Sequence, residues 1–117
     1  MARLSISIEL ACGGQVTSDA IRLLEQVERT GSITAAGRAH GLTYRRAWTV
    51  LDRLGRLFAS PLLATQSGGP TGGGAQLTAF GRELIARYRD VEARANACAT
   101  RDLRVLDAVH AGGPHGP

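Results

Sequence analysis

The chain has 117 residues, 44% of them hydrophobic, and a formal net charge of +4, which bounds it to one domain with a modest core. No apolar run reaches the length of a membrane span, and the alternating apolar residues near the start do not form a signal peptide. Cys12 and Cys98 make neither a metal spacing nor a disulfide framework; a cytoplasmic protein with no membrane partner is expected.

In chain order, Leu4, Ile6, Ile8 and Leu10 alternate with polar residues, the period of a half-buried strand over 4–10. Cys12-Gly13-Gly14 ends it. Thr17 or Ser18 caps a helix reaching about Arg29, with Ile21, Leu24 and Val27 on its inner face and Leu23 beside them. Thr30-Gly31 stops that helix. Ser32 caps a short helix over 33–40, whose small residues Ala35, Ala36, Gly37 and Ala39 allow a second helix to approach closely. Gly41 supplies a turn, Leu42 plugs the space between helices, and Thr43 caps a third helix running to about Phe58. Ala47, Leu51, Leu54 and Phe58 mark its buried stripe; Trp48 sits on a shoulder, where core packing is expected over contact.

Ser60-Pro61 breaks the third helix. Short strands over 62–65 and 75–77 flank the loop Ser67-Gly-Gly-Pro-Thr-Gly-Gly-Gly74, which makes the loop a hairpin tip. Thr78 caps one long helix over about 78–110, with Phe80, Leu84, Ile85, Tyr88 and Val91 on its apolar face. Residues 111–117 read as a disordered tail.

Helix, short helix, glycine turn, basic helix, hairpin, helix is the plan of a winged helix-turn-helix: mainly α with a small β wing, one domain over 1–110, closing on a long C-terminal helix. Charge agrees with it. Between 32 and 58 the arginines are Arg38, Arg45, Arg46, Arg53 and Arg56, against the single acid Asp52, whereas from 78 to 110 arginines and acids nearly balance. A basic surface localised on one element suits an anionic polymer, here double-stranded DNA. Arginine forks to guanine and phosphate; threonine meets phosphate or a thymine methyl. The residues expected on DNA are Ser32, Thr34, Thr43, Tyr44, Arg45, Arg46, Thr49 and Arg53, with Gly69, Thr71 and Gly72 at the wing tip. Asp52 is expected in a salt bridge, and Arg53 and Arg56 are as readily solvated or ion-paired.

The glycine loop lacks the lysine of a phosphate-binding P-loop, and no GxGxxG follows a long strand. His40, His110 and His115 do not cluster, and no nucleophile, base and acid come together. No enzyme activity, catalytic residue or metal site is expected.

Gly31-Ser-Ile-Thr-Ala-Ala36 followed by Gly41-Leu-Thr-Tyr-Arg-Arg-Ala-Trp48 resembles the DNA-binding domain of the molybdate-responsive ModE family. Gly68-Gly69, Gly72-Gly-Gly-Ala75, Leu77-Thr78 and Gly81 resemble that family's wing and the helix after it. LysR-type regulators are a related pattern through Gly31-Ser-x-x-Ala-Ala36, Leu57-Phe58 and Leu77-Thr-x-x-Gly81. The resemblance implies a homodimeric transcription regulator on a palindromic operator, its dimer contact made by the helices over 18–29 and 78–110. That points to Ile21, Leu24, Leu84, Tyr88 and Val91 as dimerisation residues. Members carry C-terminal oxyanion-binding domains, and none follows the long helix here, so no cofactor is expected and molybdate enters only through the resemblance. A winged helix used for binding another protein is the alternative, suggested by a wing with few charges.

Overall fold

The computed structural model describes residues 1–65 and 74–109. The wing tip, with Gly69, Thr71 and Gly72, and the tail with His110 and His115 lie outside the described residues.

Nine elements follow one another among these residues. A small antiparallel ladder, β1 (Ile8–Glu9) and β2 (Gln15–Val16), pairs Ile8 with Val16. Helices α1 (Ser18–Thr30), α2 (Ile33–Ala39) and α3 (Tyr44–Gly55) come next. The antiparallel strands β3 (Leu63–Thr65) and β4 (Ala75–Leu77) form the wing, with Ala64 opposite Gln76. Helices α4 (Ala79–Cys98) and α5 (Thr100–Ala108) complete the fold. This is a winged helix-turn-helix, as expected.

Four of the five helices start at a hydroxyl. Thr17, Ser32, Thr43 and Thr78 have extended backbones, and each side-chain oxygen accepts a hydrogen bond from the amide three residues on. Each such cap stabilises its helix by about 1 kcal/mol. Gly31 ends α1 at φ 72°, a left-handed conformation that costs an L side chain about 1–2 kcal/mol, and its amide bonds Val27 O at 2.8 Å.

The expected inner faces are the observed ones. Ile21, Leu23, Leu24 and Val27 of α1 are buried, as are Ala47, Leu51 and Leu54 of α3. They meet Val16, Ala36, Leu62, Leu77 and Tyr88 in one core. Helices α2 and α3 approach so closely that a Cβ on Gly37 would lie 2.9 Å from the Cβ of Ala47. The wing is anchored at its base: Ala75 N–H donates to Gly31 O at 3.0 Å, and Thr78 N–H to Leu62 O at 3.0 Å. The Thr78 hydroxyl also donates to Pro61 O at 2.6 Å, so the cap that starts α4 also holds the chain entering β3.

Three expectations are corrected. The strand expected over 4–10 has its half-buried alternation, but only Ile8 and Glu9 form a ladder, and their partner strand is Gln15–Val16, between the Cys12-Gly13-Gly14 stop and the Thr17 cap. Leu4 and Ile6 instead bond to side chains of α4: Leu4 N–H donates to Asn96 Oδ1 at 2.6 Å, and Tyr88 OH donates to Ile6 O at 2.6 Å. Ala2 N–H reaches Asp107 Oδ2 at 2.9 Å, so the first residues run antiparallel along α4 and α5. Helix α3 ends at Gly55 rather than near Phe58; a tighter turn follows, in which Leu57 N bonds Leu54 O and Phe58 N bonds Gly55 O, and Phe58 packs edge-on to Phe80. The long last helix is two helices broken at Ala99, with φ −97° and ψ 6°. The Thr100 hydroxyl there donates to Asn96 O and Ala97 O, a local bond that competes with helix continuation.

Candidate nucleic-acid interface

Helix α3 carries the basic surface. Its buried stripe Ala47, Leu51 and Leu54 fixes which way the rest of the helix faces. Arg45, Thr49 and Arg53, spaced by four, line the side opposite the core, and Arg46 lies on one flank. Arg45, Arg46 and Arg53 are exposed, and among the described residues none of the three is in an ion pair. Arg56 differs: its Nε lies 2.8 Å from Asp52 Oδ2, so its charge is locally neutralised. The expected salt bridge of Asp52 is therefore present.

Hydroxyl groups of this surface are partly committed. The Thr43 oxygen accepts from Arg46 N at 3.2 Å, and the Ser32 oxygen accepts from Ala35 N at 3.1 Å; both remain free to donate. The Thr49 hydroxyl donates to Arg45 O at 2.9 Å, so its proton is committed while its oxygen can still accept. Thr34 is exposed on α2. The first amides of α3 point out of the helix beside Arg45 and Arg46, where an N-terminus favours anions.

The second flank of α3 is aromatic, where Tyr44, expected on DNA, is joined by Trp48, expected in the core. Trp48 is 47% exposed and Tyr44, one turn earlier, is 54% exposed. The expected core position of Trp48 is thus corrected: Ala47 fills the close approach to Gly37, and an indole at the next position is carried out to the rim. Trp48 borders an open groove of about 330 Å³ floored by Ile33, Leu51 and Leu62 and walled by Leu63 and Thr65. Tyr44, Ser32, Thr34 and Thr65 enclose a smaller hollow of about 160 Å³ beside it. The two meet at Ile33 and Thr65, so one continuous surface runs from α3 across the start of α2 to the wing base. The four-residue spacing of Tyr44 and Trp48 was the signal available in the sequence.

The residues expected at a dimer contact divide. Ile21 and Leu24 are 0% exposed and Tyr88 is 1% exposed; all three are consumed by the chain's own core and have no surface to offer a second copy. Leu84 is half-buried against that core. Val91 is exposed on α4, and Val105, Leu106 and Val109 are exposed at the end of the chain's described part.

Among the described residues no three His, Cys, Asp or Glu side chains gather as a metal site. An enclosed oxyanion needs converging cationic or N–H donors. Arg89 is the one half-buried arginine among the described residues, and it is committed to Glu25 and Glu92. These residues do not fit a molybdate site.

Residues 18–82 match the family of bacterial regulatory helix-turn-helix proteins, lysR family. Over 112 residues the chain is 37% identical to the "Molybdenum transport protein ModE" of Azotobacter vinelandii, covering 96% of this chain and 41% of that protein. It is 39% identical over 103 residues to the "Molybdenum-pterin-binding protein MopA" of Rhodobacter capsulatus, covering 88% of this chain and 37% of that protein. Over 68 residues it is 35% identical to the "DNA-binding transcriptional dual regulator ModE" of Escherichia coli K12, covering 58% of this chain and 26% of that protein. The chain therefore spans about two fifths, or less, of the length of these relatives. Both resemblances read from the sequence, to ModE and to the LysR type, recur in these matches.

Proposed function

The chain belongs to the lysR family of bacterial regulatory helix-turn-helix proteins, and from that premise we propose that it is a sequence-specific DNA-binding transcription regulator of ModE type. The observation that carries this reading is the cationic side of α3, where Arg45, Arg46 and Arg53 have no ion-pair partner among the described residues, set opposite a fully buried stripe. A helix so anchored enters the major groove as a rigid body. Arg45 and Arg46 then fork to guanine edges or phosphates near the helix start. Thr43, Ser32 and Thr34 hold phosphate oxygens on either side, and the wing lies along the neighbouring backbone. No bond is made or broken, so the reading is of a non-enzyme acting in the cytoplasm.

The proposal includes a homodimer on a palindromic operator. Val91 on α4, Val105 and Leu106 on α5 and Val109 just after it leave apolar surface that the described residues of one copy do not cover, and a two-fold pair of recognition helices reads two half-sites. Molybdenum belongs to the names of the relatives; the reading of this chain is confined to DNA.

Fluorescence anisotropy on duplexes selected from a random library tests the proposal. Affinity should fall with salt at a log–log slope of about −0.9 per neutralised phosphate. Arg46→Ala should weaken the selected site by about 1–3 kcal/mol if Arg46 reads a guanine. Equal binding of selected and bulk DNA at moderate salt would sink operator specificity, and a monomer by light scattering at micromolar concentration would sink the dimer.

A further inference from the structure

We infer that Trp48 reads the operator, packing its indole against the methyl group of a thymine in the major groove. This rests on the DNA-binding reading of α3 and goes beyond it in naming an apolar readout beside the cationic one.

Three observations carry it. First, the indole is 47% exposed in the second turn of α3, the part of a recognition helix that reaches base edges. No described element covers its outer face. Second, Tyr44 and Trp48 share one flank, while Arg45, Thr49 and Arg53 lie on the neighbouring one; the helix presents an aromatic strip parallel to a cationic strip. Third, the next residue along the aromatic strip is Asp52, and its carboxylate is neutralised by Arg56 at 2.8 Å. The strip thus bears no free anion to hold it away from DNA, and it is continuous with the surface proposed to bind.

A major groove offers an indole little to bond. Its N–H finds acceptors, but its large apolar face matches one group on the base edges, the C5-methyl of thymine. Thr49, half-buried on the neighbouring strip, adds its methyl group as a second apolar contact next to it. The half-site therefore carries thymine where α3's aromatic flank passes, and guanine or phosphate contacts where the arginines pass.

The test replaces each thymine of the selected duplex in turn with deoxyuridine, which removes one methyl and keeps base pairing. Wild-type protein should lose about fourfold in affinity at one or two positions per half-site, the effect of burying one methyl group. Trp48→Ala should bind thymine and deoxyuridine equally there while keeping its response elsewhere, and Trp48→Phe should retain the preference. Circular dichroism and thermal melting confirm that the variants are folded. Indifference of the wild type to every replacement, or a thymine preference that survives in Trp48→Ala, overturns the inference. So does a uniform loss of affinity in Trp48→Ala with the preference unchanged, which would put the indole on the sugar-phosphate wall. Failure to select any site overturns the DNA-binding reading, and this one with it.

Discussion

Arg89 of α4 grips Glu25 of α1 with two hydrogen bonds, Nη2 to Oε1 at 2.6 Å and Nε to Oε2 at 2.9 Å. Its Nη1 reaches Glu92 Oε1 at 2.7 Å. The hydrogen bond to Glu25, foremost, and that to Glu92 raise the guanidinium above the ordinary arginine range against the opposing effect of burial. A raised folded value means stability that is fully present below the unfolded value and lost only as pH rises through the folded one. That window lies beyond any working pH, so the arginine stays charged and the clamp is insensitive to its titration.

Glu25→Ala should therefore destabilise the protein at neutral pH. The pair is about one-third exposed, so the cost is less than that of a fully buried pair, about 2 kcal/mol. Melting followed by circular dichroism should show a drop of roughly 10 °C. An unchanged melting temperature would mean that solvent compensates the lost bonds and that α1 and α4 are held together by the apolar core alone.

Asn96 makes a comparable attachment for the first residues of the chain. Its side chain accepts from Leu4 N at 2.6 Å and donates to Leu4 O at 3.2 Å and Glu92 O at 2.9 Å. Asn96→Ala should cost about 1–2 kcal/mol through these lost bonds. Amide exchange at Leu4 should accelerate while exchange at Ile21 and Leu24 follows only the change in global stability. Undiminished protection at Leu4 would show that Ala2 and Ile6 hold the segment without Asn96.

The same pair explains what was and was not legible in the sequence. Local signals sufficed for the starts and inner faces of α1 to α3, through a hydroxyl at each cap and apolar residues at helical spacing, and for the turns at Gly31 and Gly41, both of which take a positive φ. The alternation over 4–10 gave the right face of the chain but not its partner, because Asn96 and Tyr88 are distant in sequence and their bonds to it leave no local pattern. At the break at Ala99 the Thr100 hydroxyl bonds back to Asn96 O and Ala97 O, a feature an apolar stripe does not record. The family resemblance put Ile21, Leu24 and Tyr88 at a dimer contact through their helices, and a resemblance of helices does not tell which of their apolar residues the chain itself covers. Trp48 misled in the opposite sense, since its hydrophobicity spoke for the core while its angular position, one step past Ala47, put it on the rim.

Two glycines separate packing from backbone conformation. Gly37→Ala brings a Cβ to 2.9 Å from Ala47 Cβ and 3.3 Å from Leu42 O, so α2 and α3 must move apart. Overpacking of this kind costs about 1–3 kcal/mol, and DNA affinity should fall further because the recognition helix shifts. Gly31→Ala meets open space but keeps φ 72°, costing about 1–2 kcal/mol with no shift of α3. Denaturant melts and anisotropy on the same variants distinguish them: equal loss of DNA affinity per unit of stability in both would argue that Gly37 does not set the helix angle.

The cationic strip makes the last prediction. Arg53 has no carboxylate partner among the described residues, whereas Arg56 is bound to Asp52 at 2.8 Å. If both sit near phosphate, Arg53→Ala should reduce the salt dependence of DNA binding by about one counterion, roughly 0.9 in log–log slope. Asp52→Ala should do the reverse. It removes an anion from the DNA-facing side and releases the Arg56 guanidinium, so affinity should rise and the slope should steepen by up to about 0.9. An exposed pair four residues apart on a helix contributes only about 0.3–0.5 kcal/mol, so the fold should tolerate the change. Titrations of the three proteins across a salt series decide the matter. Weaker binding by Asp52→Ala would mean that the carboxylate orients Arg56 for its contact, and the ion pair would then belong to the DNA-binding surface as a unit.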